Sequence, residues 1–258
     1  MSAPVRLEPH GALMVLTLDA PPLNLFDEAM MDAVRAAIAT VAREQPRGLL
    51  IRAEGRVVSG GVDVHLFDGL SAAQGSQLWR ELLDLIHVVE ELPLPTVFAA
   101  HALCLTAAFE LSLACDLLLA AESARFGLVE TVVGLTPAMG GTQRIAERAG
   151  PARARELVMT GELFDAATLE RWGVVNRVLP DAGFDDAARS FALRLAEGPT
   201  RAHAATKAIV RAQKEGGARA ADAIVPQVAG DLFATEDLRN AVRSFLADGP
   251  GNATYAGR

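Results

Sequence analysis

Residues 102–120, ALCLTAAFELSLACDLLLA, and the nearby ARFGLVETVVGL at 124–135 each set one glutamate, Glu110 and Glu130, into a run that otherwise reads as core. An isolated carboxylate is costly to bury, so such a residue must be neutralised, partnered or put to work. Two of them on neighbouring elements point to a paired acid/base site. The apolar stretch Thr96–Ala100 reads as a strand that gives way to a helix at Thr106-Ala107-Ala108. The N–H groups that open a helix have no partners of their own and can hold a developing oxyanion. Glu110 lies one turn after Ala107 and can share that face.

Toward the N-terminus, VRLEPHGALMVLTL (5–18) alternates about His10-Gly11 and predicts a hairpin. APPLN at 20–24 ends it. Met30, Ala33, Val34, Ala37, Ile38 and Val41 recur at three- and four-residue intervals, predicting an amphipathic helix over 26–43 with Asp27 as its N-cap. A buried strand is expected at 48–52, followed by the glycine-bearing loop VVSGGVD (57–63), where paired glycines permit a tight turn and close approach of a ligand. The small residues of GLSAAQGS (69–76) read as a flexible connection, and a helix is expected from Gln77 to Glu91, stopped by Pro93 and Pro95.

Beyond the central stretch, residues 116–121 predict a strand, and PAMGGTQR (137–144) a turn feeding a helix near Thr142. One last strand is expected at 174–179. Gly198-Pro199 marks the start of a terminal helical region, dividing the chain into a core of residues 1–198 and an appendage of 199–258. Short strands alternating with helices place the chain in the mixed α/β class.

With 258 residues, 51% of them hydrophobic, the chain can bury a sizeable core. A formal charge of −8 argues against a general nucleic-acid binder, which needs clustered cations. The N-terminus has no basic and apolar leader pattern, and no uncharged apolar segment reaches membrane-spanning length, so a soluble cytoplasmic protein without a membrane partner is expected. Cys104 and Cys115 lack metal or redox spacing and read as buried thiols, and no metal site is expected.

In this order, SGGVD (59–63), FELSLACD (109–116), FGLVE (126–130), PAMGGTQR (137–144) and TGELFDAATLERWGVVNRV (160–178) resemble the segments of the enoyl-CoA hydratase/isomerase (crotonase) family, over nearly the whole chain. The resemblance implies a spiral of ββα units with a C-terminal helical region that packs between subunits in a homotrimer or homohexamer. It implies an acyl-CoA thioester as substrate, with coenzyme A arriving as part of it and no separate cofactor. The backbone N–H groups of Gly60 and Ala107 would form the oxyanion hole. Glu110 and Glu130 would share a water, Glu110 activating it and Glu130 protonating Cα. Leu23, Asn24, Ser59, Gly61, Val62 and Asp63 would line the substrate groove.

Hydration of a trans-2-enoyl-CoA to the 3-hydroxyacyl-CoA is the implied reaction, since both glutamates are retained. A Δ3,Δ2-enoyl-CoA isomerase or a catalytically silent acyl-CoA-binding subunit are the alternatives. The sequence departs from the family pattern in four places. Thr106-Ala107-Ala108 replaces a glycine-rich run, His101-Ala102 an Asn-Gly pair, and Val129 a proline. The C-terminal segment also lacks a Lys/Arg pair for the coenzyme phosphates, for which Lys207, Arg211 and Lys214 are candidate substitutes.

Overall fold

The computed structural model describes residues 3–258. Strands β1 (Val5–His10) and β2 (Leu13–Leu18) form the expected antiparallel hairpin, and Pro9 is tolerated because β1 is a sheet edge. All six residues of β2 are buried. The next strands, β3 (Gly48–Ala53) and β4 (Thr96–Ala100), add in parallel and, Arg52 and Thr96 apart, are likewise apolar on both faces. Such runs are what a parallel sheet covered on both sides requires. With β6 (Leu117–Ala121) and β9 (Arg177–Leu179) the main sheet has six strands in the order β1-β2-β3-β4-β6-β9. A second, three-stranded sheet joins β5 (Cys104–Leu105), β7 (Arg125–Gly127) and β8 (Phe164–Asp165), with β5 and β7 parallel.

Helix α1 (Glu28–Glu44) buries Met30, Met31, Val34, Ala37, Ile38 and Val41, and Asp27 caps it by accepting the Met30 N–H at 2.8 Å. Helix α2 (Ala72–Glu91) begins five residues before the expected Gln77. Ser71 and Gln74 form a reciprocal capping box that holds Gly75 in the first turn despite its low helix propensity. The last strand is shorter than expected at its start: the N–H groups of Val174 and Val175 turn back to the Leu169 carbonyl instead of pairing with β6.

Helix α3 (Thr106–Ala114) is unlike the others, because all nine of its residues are buried. Apart from Thr106, Glu110 and Ser112 it is apolar all round, as a helix threaded through a core must be. The site is built around it. Both cysteines flank this helix and are buried, and burial pushes the Cys115 thiol up to about 12.

Helices α4 (Gly141–Ala149), α5 (Pro151–Thr160), α6 (Ala166–Arg171) and α7 (Phe184–Ala196) pack around this frame, and two further helices follow Gly198-Pro199. These are α8 (Thr200–Gly230), which breaks at Gly217 with φ 75°, and α9 (Glu236–Asp248). Of the 31 residues of α8 only Ala205 and Ala221 are buried, and Val210, Phe233, Phe245 and Leu246 stand exposed in this terminal region. Among the described residues no helix is long and apolar enough to cross a membrane.

Candidate active site

Glu110 is 2% exposed. Its Oε1 accepts two backbone N–H groups, from Met139 at 2.9 Å and Gly141 at 2.8 Å. Both donors come from the PAMGG turn that leads into α4. Gly140 there takes φ 96°, and a Cβ on Gly141 would lie 2.9 Å from the Glu110 Cγ. The glycine pair is therefore what lets this backbone close on the carboxylate. Burial pushes Glu110 up to about 8, the Glu130 charge adds to the rise, and the two N–H donors oppose it.

Glu130 opens a single 3-10 turn, Glu130–Val133, directly after β7. Its Oε2 is buried and has no hydrogen-bond partner among the described residues. Burial pushes this carboxyl up to about 7, against the pull of its own backbone N–H. Helix α3 continues from β5, and the Glu130 turn follows β7 after Leu128 and Val129. Since β5 and β7 run parallel, with Leu105 opposite Gly127, both glutamates emerge from the same end of the small sheet. A Cβ on Gly141 would lie within 3.0 Å of both Leu128 and Glu110, which places these three segments in contact. The arrangement is two carboxyls that resist ionisation and interact with one another. Such a pair holds one proton more readily than none or two near neutral pH.

The glycine loop lies beside the start of α3. The N–H groups of Val58 and Ser59 bond the Leu103 carbonyl, and the N–H of Phe26 bonds the Gly61 carbonyl at 2.9 Å. Here the geometry corrects the expected donor. The Gly60 N–H is consumed by the Leu23 carbonyl at 2.8 Å, and the Gly61 N–H by Ser59 Oγ at 3.0 Å. The N–H that faces α3 is that of Val62, which bonds Thr106 Oγ1 at 3.2 Å. Ala107, in the first turn of α3, keeps an N–H without an intrahelical acceptor.

Several residues expected in the groove are scaffold instead. Asn24 is 1% exposed and bonds the Ala20 N–H and the carbonyls of Glu54, Val57 and Val58. Ser59 is fully buried and donates to the Asn24 carbonyl at 2.7 Å. Asp63 caps the following 3-10 turn through the His65 N–H. Leu23 remains exposed, as do Val64 and Leu70. His101 bonds the Gly55 carbonyl at 3.0 Å, a structural contact.

The basic trio of α8 is also committed. Lys207 pairs with Asp116 at 2.9 Å, Arg211 with Glu91 at 3.3 Å, and Lys214 with Glu147 at 2.8 Å. All three line a cavity of about 880 Å³ that includes neither Glu110 nor Glu130. Arg144, which the sequence offers only as a possible partner for a buried glutamate, has a side chain 5% exposed that grips Glu90 of α2 through two bonds, at 2.9 and 2.5 Å. Its third bond, at 3.2 Å, supports the Gly140 carbonyl, within the turn that holds Glu110. The position of Arg144 in GGTQR, one turn into α4, is the only signal the sequence carries for this.

A family model described as "Enoyl-CoA hydratase/isomerase" matches residues 8–252. The chain is 32% identical over 255 residues to a "Probable enoyl-CoA hydratase" of Rhodobacter capsulatus, with 97% of each chain covered. It is 33% identical over 221 residues to the "Carnitinyl-CoA dehydratase" of Salmonella enteritidis, covering 83% of each. Among solved structures, the enoyl-CoA hydratase of Mycobacterium smegmatis superposes with a TM-score of 0.89 at 26% identity, covering 95% of this chain and 97% of that one.

Proposed function

The chain belongs to the enoyl-CoA hydratase/isomerase family, and on that premise we propose that it adds water across the 2,3 double bond of a trans-2-enoyl-CoA to give the 3-hydroxyacyl-CoA. The observation that carries this reading is the pair of raised carboxyls, Glu110 and Glu130, beside the start of α3.

Hydration delivers hydroxide character to Cβ and a proton to Cα, while negative charge develops on the thioester oxygen. A preorganised donor at that oxygen lowers the barrier by about 3 kcal/mol. One carboxyl must be ionised to take a proton from water and the other protonated to give one to Cα. A bound acyl chain sets the two carboxyls apart. Glu110 is already sealed from solvent and steadied by two N–H donors, whereas the half-buried Glu130 loses its remaining water and rises further. Glu110 is then the base for water and Glu130 the acid for Cα.

The exposed Leu23, Val64 and Leu70 supply apolar surface for the acyl or pantetheine chain. The exposed apolar side chains of the terminal helices are assigned to contact with further copies of the chain, as a homotrimer or homohexamer.

Incubation with crotonyl-CoA tests the reading: loss of the conjugated enoyl absorbance with formation of 3-hydroxybutyryl-CoA is expected. An inert crotonyl-CoA with turnover of a 3-enoyl-CoA would replace hydration by isomerisation. The pH profile is a second test. Activity needs one proton on the pair, so kcat/KM should fall on the acid side as both carboxyls protonate and on the alkaline side as both ionise. With values of about 7 and about 8, a narrow maximum is expected near pH 7.5. A flat profile from pH 5 to 7 would remove the shared proton from the mechanism.

A further inference from the structure

We infer that the hydroxyl of Thr106 is itself an oxyanion donor, oriented by the Val62 N–H and acting together with the Ala107 N–H. This rests on the hydratase reading and deepens it. Thr106 is 7% exposed, and its Oγ1 accepts the Val62 N–H at 3.2 Å. The hydroxyl hydrogen has no acceptor among the described residues, so it is free to be donated. Gly61, with φ 108°, closes against the same oxygen: a Cβ there would lie 2.8 Å from Oγ1. The hydroxyl therefore sits between the glycine loop and the first turn of α3, where a substrate carbonyl would meet the Ala107 N–H.

The loop offers no competing donor. Gly60 and Gly61 have spent their N–H groups on Leu23 and Ser59, and Val62 has spent its own on Thr106. An O–H whose oxygen already accepts an N–H is polarised and donates more strongly. Thr106 also adopts φ 46°, a conformation that is unfavourable for a β-branched residue and that glycine would take freely. Backbone outliers of this kind cluster where a side chain is needed for function.

The test compares the full-length wild type with Thr106→Ser, Thr106→Val and Thr106→Gly. Each is assayed with crotonyl-CoA, and each is also bound to butyryl-CoA carrying a ¹³C thioester carbonyl, whose infrared stretch falls as the oxygen is hydrogen-bonded. Serine, which keeps the hydroxyl, should retain kcat within about threefold. Valine, which keeps the shape without it, should lose about 100-fold in kcat, the loss typical of one oxyanion donor, with the carbonyl stretch moved toward its value in water. Glycine, free of backbone strain, releases the Val62 N–H but should still lose at least about tenfold, because that nitrogen lies 3.2 Å behind the place of the missing hydroxyl oxygen. Wild-type kcat and stretch in the valine variant, or glycine as fast as wild type, would overturn the inference. So would equal losses in serine and valine. A wild type that turns over no enoyl-CoA would defeat the hydratase reading instead, and the infrared comparison on bound butyryl-CoA would still decide the role of Thr106.

Discussion

Glu110→Gln is expected to lower kcat for crotonyl-CoA by about 10³-fold, as removal of a general acid/base does, and yet to melt at a higher temperature than wild type above pH 8. Glutamine keeps an acceptor oxygen for the Met139 and Gly141 N–H groups, so the turn before α4 has no reason to move. What it cannot do is take a proton from water. The stability gain follows from the direction of the pKa change. Folding raises Glu110 from the ordinary carboxyl range to about 8, so the folded protein holds this proton more tightly than the unfolded chain does. That contribution to stability is complete below about pH 4.5 and is lost as pH rises through 8. Glutamine never ionises and escapes the loss. Each kcal/mol recovered raises Tm by about 2–4 °C in a chain of this size. Thermal melts of both proteins at pH 5 and pH 8.5 check this, and a gap that failed to widen at the higher pH would contradict the burial argument.

Arg144→Met should carry the largest stability cost. The guanidinium is nearly sealed and holds both oxygens of Glu90, leaving only Lys214, at 3.4 Å, to compensate that carboxylate once it is removed. Breaking one side of a buried pair costs about 3–5 kcal/mol, a fall in Tm of roughly 6–20 °C. The same change leaves the Gly140 carbonyl with only the backbone N–H of residue 144, at 3.3 Å, and loosens the donors to Glu110, so kcat should fall by about tenfold. The double variant Arg144→Met with Glu90→Leu separates the two effects. It removes the stranded charge and should restore most of the lost Tm, while kcat stays low because Gly140 still lacks its bond to the guanidinium. If kcat recovered together with Tm, Arg144 would have no positioning role.

The fold class was legible because short apolar strands alternate with helices, and both glutamates stood out because acidic residues interrupt apolar runs, contrasts that one sequence displays on its own. The PAMGG turn was legible for a similar reason, as adjacent glycines announce close backbone approach. The fate of the N–H groups on the glycine loop was not. Which of the three successive groups faces α3 depends on Leu23 and Ser59 claiming the other two, and the pairing of Gly60 with Leu23 spans distant parts of the chain. Lys207, Arg211 and Lys214 misled in the same way: their spacing describes a basic helix face, but Asp116, Glu91 and Glu147 meet that face only after folding. The early start of α2 was written in Ser71 and Gln74, and the neighbouring small residues masked it.

The carboxylate of Glu110 is held by main-chain amides, and Glu130 stands at the head of a turn closed by its own carbonyl accepting from Leu135. The two acids therefore differ: only a residue that keeps an acceptor replaces Glu110 without stranding two buried amides, whereas the turn that presents Glu130 is secured by other atoms. A codon change at Glu130 would leave the platform standing with a different reagent, a molecular jig into which descent can fit new chemistry without first inventing a new shape.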